Sequence, residues 1–235
     1  MASDTSVSHN SPIPLALQTI GLSKKFKGFQ ALFPVDLSIK AGELVVLHGQ
    51  NGSGKTTLLN CISYFIPPTT GQVKVCGFDM RENEQAARQH LAFVPDVPRF
   101  YLELSAWEHL RFIAAANNSL EGFEARAEQL LKDFGLWHVR EHFPHNYSRG
   151  MRLKLGLLLG LIRPSSLLLL DEPTSALDTQ GTKLLIEELK LRKADGAAIL
   201  LSSHDPNLRD LIADRVLELT DGHLIESASI KDASC

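Results

Sequence analysis

Two short segments carry the residues able to do chemistry. The first, Gly49-Gln50-Asn51-Gly52-Ser53-Gly54-Lys55-Thr56, fits G-x-x-x-x-G-K-[ST] without a mismatch. Glycines let the backbone wrap closely round a ligand, and successive N–H groups then form a nest for anionic oxygens. The helix that follows adds its positive end. Lys55 adds a point charge for β- and γ-phosphates, and Thr56 offers a hydroxyl to Mg²⁺. The second segment is Leu167-Leu168-Leu169-Leu170-Asp171-Glu172. An apolar strand of this kind delivers its carboxylates to the C-terminal edge of a sheet, where open α/β sheets bind ligands. Asp171 is expected to hold Mg²⁺, directly or through water, and Glu172 to orient an attacking water as general base. The ligand this chemistry suits is a nucleoside triphosphate, and the absence of an Asn-Lys-x-Asp segment disfavours GTP.

These segments need strands and helices to position them. Strands are expected over Leu15–Leu22, Val35–Ile39, Glu43–His48, Gln72–Val75 and Leu91–Val94. A helix starts at Lys55 with Leu58, Leu59, Ile62 and Phe65 on one face, and Pro67-Pro68 stops it. From Pro95 to Arg163 the pattern turns helical. Ser105 and Glu108 make a capping box ahead of Leu110, Phe112 and Ile113, and further helices cover about Glu121–Phe134 and Arg149–Ile162. After the leucine strand come a helix over Gln180–Lys190, a strand over Ala197–Ser202, and a hairpin of Arg215–Leu219 and His223–Ile225 around Asp221-Gly222. Alternating strands and helices imply an α/β fold with a mainly parallel sheet.

Composition narrows the class. In 235 residues, 24 Lys and Arg face 27 Asp and Glu, a balance of −3 that argues against binding nucleic acid through bulk charge. A hydrophobic fraction of 44% is enough to build a core. Cys61, Cys76 and Cys235 are too scattered for a disulfide framework or a zinc cluster, which points to a reducing compartment. Residues 1–14 lack a signal-peptide pattern and read as a tail, as do residues 229–235. The longest apolar stretch, Leu155–Leu170, is cut by Arg163-Pro164, so no membrane span is expected.

Taken in order, the motifs resemble those of the nucleotide-binding subunits of ABC transporters over about Leu15 to Ile225. Phe26 falls where that family stacks an aromatic on adenine, and Tyr147-Ser148-Arg149-Gly150-Met151 is similar to the signature Leu-Ser-Gly-Gly-Gln. Ser175-Ala176-Leu177-Asp178 resembles the D-loop, and His204 stands at the switch histidine. The resemblance implies a P-loop NTPase of ABC type: a mainly parallel core, an antiparallel β subdomain and a helical subdomain near 95–163, within one domain over 15–228. It implies binding of ATP and Mg²⁺. Gly49, Asn51, Gly52, Ser53, Gly54, Lys55, Thr56 and Thr57 would hold the phosphates, with Thr56, Asp171 and Asp96 at the metal. Lys55, Glu172 and His204 would be catalytic, and Ser148, Gly150 and Asp178 would contribute across a head-to-tail dimer with a second ATPase subunit. It also implies a separate transmembrane permease at the cytoplasmic face of the cell membrane. A soluble relative of the iron–sulfur assembly ATPase would carry the same motifs with a soluble partner.

Three residues depart from the family pattern. Asp96 stands where Gln, or Glu in exporter-like members, is usual. A carboxylate ~4 Å from a phosphate charge costs about 4 kcal/mol at an effective dielectric near 20, so Asp96 should face the cation or its water. Arg149 replaces the first signature glycine, either adding a cation near the ligand or facing solvent. Met151 replaces the signature glutamine, and Tyr-Ser-x-Gly-Met resembles exporter-type members. His138, His142 and His145 read as a solvated patch and His48 as structural. Arg99, Phe100 and Tyr101 lie in the loop that, in the family, borders the groove for the permease.

Overall fold

The protein is described by a computed structural model over residues 14–226. Of the tail expected at 1–14 only Pro14 is included, its carbonyl accepting from the Ala41 N–H at 3.0 Å; the tail expected at 229–235 lies outside the described residues. The chain begins with β1 (Leu15–Phe26), β2 (Phe29–Lys40), β3 (Leu44–His48) and α1 (Lys55–Ile62). Next come β4 (Thr70–Val75), β5 (Phe78–Asp79), α2 (Glu84–His90) and β6 (Leu91–Val94). A run of helices follows, α3 (Ala106–Ala116), α4 (Phe123–Asp133) and α5 (Arg149–Leu161). The last part comprises β7 (Leu167–Asp171), α6 (Thr179–Ala194), β8 (Ala198–Ser202), α7 (Pro206–Ile212), β9 (Arg215–Thr220) and β10 (His223–Glu226).

The strands make a four-stranded antiparallel sheet, β2-β1-β4-β5, and a six-stranded sheet, β10-β9-β3-β8-β7-β6. In the larger sheet every pairing is parallel except that of β10 with β9. Its central strands are apolar on both faces, as a covered parallel sheet requires. Leu44, Val46, Leu168, Leu170, Ile199 and Leu201 pack into one core with the helices of the α3–α5 region. The alternate residues Val45, Leu47, Leu167, Leu169, Ala198 and Leu200 pack into a second core with α1 and the antiparallel sheet. The period of two along each strand thus serves two cores.

Several local expectations hold, with their bonds visible. The Ser105 hydroxyl accepts from the Glu108 N–H at 3.2 Å while the Ser105 N–H donates to the Glu108 carboxylate at 2.8 Å. Asp221 and Gly222, with φ of +48° and +78°, make the two-residue turn of the β9–β10 hairpin. Others need correction. Phe65 is off the α1 face: the helix ends at Ile62, the chain leaves through Tyr64 at φ +54°, and Phe65 is 57% exposed. Phe112 lies on the solvent side of α3 at 47% exposure. β1 runs on to Phe26, and β2 begins at Phe29 rather than Val35. β2 is an edge strand, so Pro34 within it leaves no ladder bond unmet in a central position. The short helices α2 and α7 were not expected from the sequence. In α2 only Ala87 is buried, so it lacks an apolar stripe to betray it.

Candidate nucleotide site

β3 ends at His48, and the chain turns through residues 49–54 into α1. That turn depends on close backbone approach. A Cβ on Gly49 would lie 2.3 Å from the Leu219 carbonyl oxygen and 2.7 Å from the Ser53 Oγ. One on Gly54, whose φ is +108°, would lie 2.9 Å from the Ala31 carbonyl oxygen. The β9–β10 hairpin therefore braces the loop from behind, and the Gly222 N–H donates to the Ser53 carbonyl at 3.0 Å. Gly49→Ala is expected to cost about 2–4 kcal/mol through strain and overpacking. Thermal denaturation should show Tm lower by roughly 5–15 °C. A Tm unchanged within error would mean the hairpin does not brace the loop.

Lys55 is 6% exposed. Its ammonium donates to the Gly49 carbonyl at 2.7 Å and lies 3.7 Å from Glu172 Oε1. Across the loop, β7 and β8 run parallel with Asp171 opposite Ser202. The Ser202 hydroxyl donates to Asp171 Oδ1 at 2.6 Å and accepts from the Glu172 N–H at 2.9 Å. Glu172 has left-handed backbone, φ +47°, which is uncommon for a residue with a Cβ. Its other oxygen, Oε2, lies 2.9 Å from His204 Nδ1. Lys55, Asp171, Glu172 and His204 thus form one connected cluster at the C-terminal edge of the parallel sheet.

Burial pushes the Asp171 carboxyl up; the Ser202 hydrogen bond and the nearby Thr56 hydroxyl pull it down, and the nearby Asp96 and Glu172 charges push it up again. Asp171 Oδ2 is buried with no partner. An orphaned carboxylate oxygen beside a threonine hydroxyl, with Asp96 near enough to act on it, is a hard-oxygen donor set that fits Mg²⁺. No group of three His, Cys, Asp or Glu residues suited to a metal occurs among the described residues.

Phe26 ends β1 opposite Phe29 and is 39% exposed, with Lys24 Nζ 4.9 Å above its ring. Asn51, Gly52 and Thr56 are exposed and Thr57 half-buried, while Ser53 is buried with its hydroxyl unpartnered. Ser148 and Asp178 sit away from this cluster in their bonding. Ser148 caps α5 by accepting from the Met151 N–H at 3.2 Å, and Asp178 caps α6 by accepting from the Gly181 N–H at 2.7 Å. A Cβ on Gly150 would meet nothing within 4 Å. Arg149 lies in the first turn of α5, exposed in the single chain and without positive φ. His138, His142 and His145 are exposed, and His48 is half-buried with Nδ1 3.3 Å from the Ser203 carbonyl. Sequence reasoning missed Ser202 as the link between the two acids. Its position at the end of a strand beside the acidic one was the available signal.

A phosphate loop between a buried strand and a helix, facing two acids on a parallel sheet, defines a P-loop nucleoside triphosphatase. The family described as ABC transporter matches residues 32–175. YthP of Bacillus subtilis (strain 168), an uncharacterized ABC transporter ATP-binding protein, is 34% identical over 206 residues, spanning 86% of this chain and 82% of that one. The macrolide export ATP-binding/permease protein MacB of Psychrobacter arcticus is 32% identical over 228 residues, 92% of this chain and 34% of that protein. A solved ATP-binding subunit of an ABC transporter superposes with a TM-score of 0.86 at 30% identity, covering 92% of this chain and 91% of that one. The dimeric cassette MJ0796 bound to ADP and Pi gives 0.79 at 27% identity, covering 89% and 98%. The chain belongs to the ABC transporter family and is an ATP-binding, ATP-hydrolysing subunit of it. ATP-binding domains of this family work with transmembrane permeases and form dimers.

Proposed function

We propose that this chain is the motor of an exporter, with its ATP site assembled as described and completed by a second copy or close paralogue. The observation that carries the reading is the meeting of Lys55, Asp171, Glu172 and His204 on one sheet edge behind a braced phosphate loop. In this reading the loop N–H groups and Lys55 bind the β- and γ-phosphates, and Phe26 offers its exposed ring to the base. Thr56 and Asp171 hold Mg²⁺, with Asp96 on the same side. The cation, when bound, neutralises charge on the phosphate oxygens. Glu172 accepts the proton of the attacking water, and His204, 2.9 Å away, fixes the carboxylate's orientation. Lys55 moves from its carbonyl and carboxylate partners to the phosphates.

Ser148 and Gly150 of the partner copy would close over the γ-phosphate, with Asp178 at the same seam. The end of α5 is suited to this: its N-terminus is exposed and positive, and Gly150 leaves open space. ATP then favours the closed pair because only that pair completes the site. The exposed loop after Asp96 would meet a cytoplasmic segment of the permease. Val97, Tyr101 and Leu102 are 71%, 58% and 68% exposed there. No helix among the described residues is long and apolar enough to cross a membrane; in this reading the permease holds the chain at the cytoplasmic face. Export is supported by the Tyr-Ser-x-Gly-Met segment and by the relative named for macrolide export.

The test is co-expression with the membrane protein encoded beside it. The chain should move to the membrane fraction only when that protein is present, and the purified complex should hydrolyse ATP faster than the chain alone. A chain that fractionates with a soluble partner, and is stimulated by it, would replace this reading with that of a soluble assembly ATPase.

A further inference from the structure

We infer that His109 is a positioning residue that ties the loop leading from Asp96 to the helical region, so that the exposed end of the loop moves with α3. The inference rests on the reading that this loop meets the permease, and it concerns what keeps the loop in place. His109 is 3% exposed on the first turns of α3. Its Nδ1 lies 2.7 Å from the Ser105 carbonyl, and its Nε2 accepts from the Tyr101 N–H at 2.9 Å. A carbonyl only accepts and a backbone amide only donates. Nδ1 therefore carries the proton and Nε2 the lone pair, which is the neutral imidazole in a single tautomer. Rings hold it on two sides: Phe100 edge-on at 5.5 Å and Tyr101 stacked at 6.1 Å.

The loop has few other anchors. Pro98 lies against α5, where a Cβ on Gly156 would approach its ring carbons to 2.6 Å. Phe100 packs half-buried on the helical core. Beyond Phe100 the Leu102 side chain is exposed, while the Tyr101 ring, though partly open to solvent, meets α3 at His109 and at Phe112, edge-on at 5.5 Å; α3 begins only at Ala106. The bond from the Tyr101 amide to His109 fixes the backbone of this stretch to α3, beside the ring contacts of Tyr101 with His109 and Phe112. The Pro98 contact ties the other end to α5, whose N-cap is Ser148. Together they make one rigid piece of the signature helix, the loop and its exposed apolar side chains. Without the imidazole acceptor, residues 101–104 can shift while α3 and α5 stay in place, and a movement of the helices no longer reaches the partner in full.

The experiment compares wild type with His109→Ala, His109→Asn and His109→Gln. Gln extends an amide oxygen to about the place of Nε2, whereas Asn reaches only the place of Nδ1. In the isolated chain, NMR amide exchange at Tyr101 should stay slow in wild type and H109Q. It should speed up about tenfold in H109A and H109N, the size expected for one lost hydrogen bond to a buried group. Basal ATP hydrolysis should match wild type within about twofold in all variants, because His109 lies outside the nucleotide cluster. In the complex with the co-expressed membrane protein, stimulation of hydrolysis should persist in H109Q and fall about tenfold in H109A and H109N. The assignment is overturned if H109A keeps full stimulation, if H109Q loses as much as H109A, or if basal and stimulated rates fall together. A wild-type chain that the membrane protein binds but does not stimulate overturns the docking reading itself, and that result appears before any variant is made.

Discussion

Glu172→Gln is expected to leave ATP binding intact and to slow phosphate release by roughly 10²–10⁴-fold, the usual contribution of a positioned base. The corresponding rise in the barrier is about 3–5 kcal/mol. The amide keeps the size of the side chain and an oxygen to face His204, which now stands 2.9 Å from Oε2. It cannot take a proton. It also removes a negative charge beside the site of the γ-phosphate, so affinity for ATP should hold or rise. The measurements are single-turnover phosphate release and ATP affinity by titration. Wild-type turnover in the variant would remove Glu172 from its role, and lost binding would mean that the carboxylate serves Lys55, 3.7 Å away, more than it serves water.

Ser148→Arg, placed in the Glu172→Gln background, should abolish the ATP-dependent dimer seen by size exclusion. Two effects combine. The hydroxyl that caps α5 at Met151 is lost, at a cost of about 0.5–2 kcal/mol. A long cation also lands beside Gly150, where the open space is proposed to receive the partner's phosphate end. Ser148→Ala separates the two, since it loses the cap and adds no bulk; it should still dimerise with ATP. If the arginine variant also elutes as a dimer, the two copies do not meet through this face.

What the sequence disclosed and what it hid divide along one line. The phosphate loop, the leucine strand with its acids and the Ser105–Glu108 box are contiguous, and each announces itself by residue type at fixed spacing. Ser202 was invisible as a site residue because its partners, Asp171 and the Glu172 amide, are brought to it by parallel pairing of β7 with β8. The same holds for Gly49, whose need to be glycine comes from the Leu219 carbonyl on a distant hairpin. Phe65 went astray for a local reason: helical periodicity continues on paper past Ile62, but Tyr64 adopts left-handed backbone and ends it. β2 runs back past Pro34 to Phe29, and the strand's place at the sheet edge makes a proline within it tolerable.

The left-handed backbone of Glu172 sets two kinds of selection against each other. A side chain held at φ +47° costs of order 1–3 kcal/mol, and glycine there would relieve most of it. A population screened only for survival of heating would drift toward glycine at this position and become tougher as it lost its motor. With Glu172 in the proposed role of base, only selection for hydrolysis would hold the carboxylate at this position against that drift.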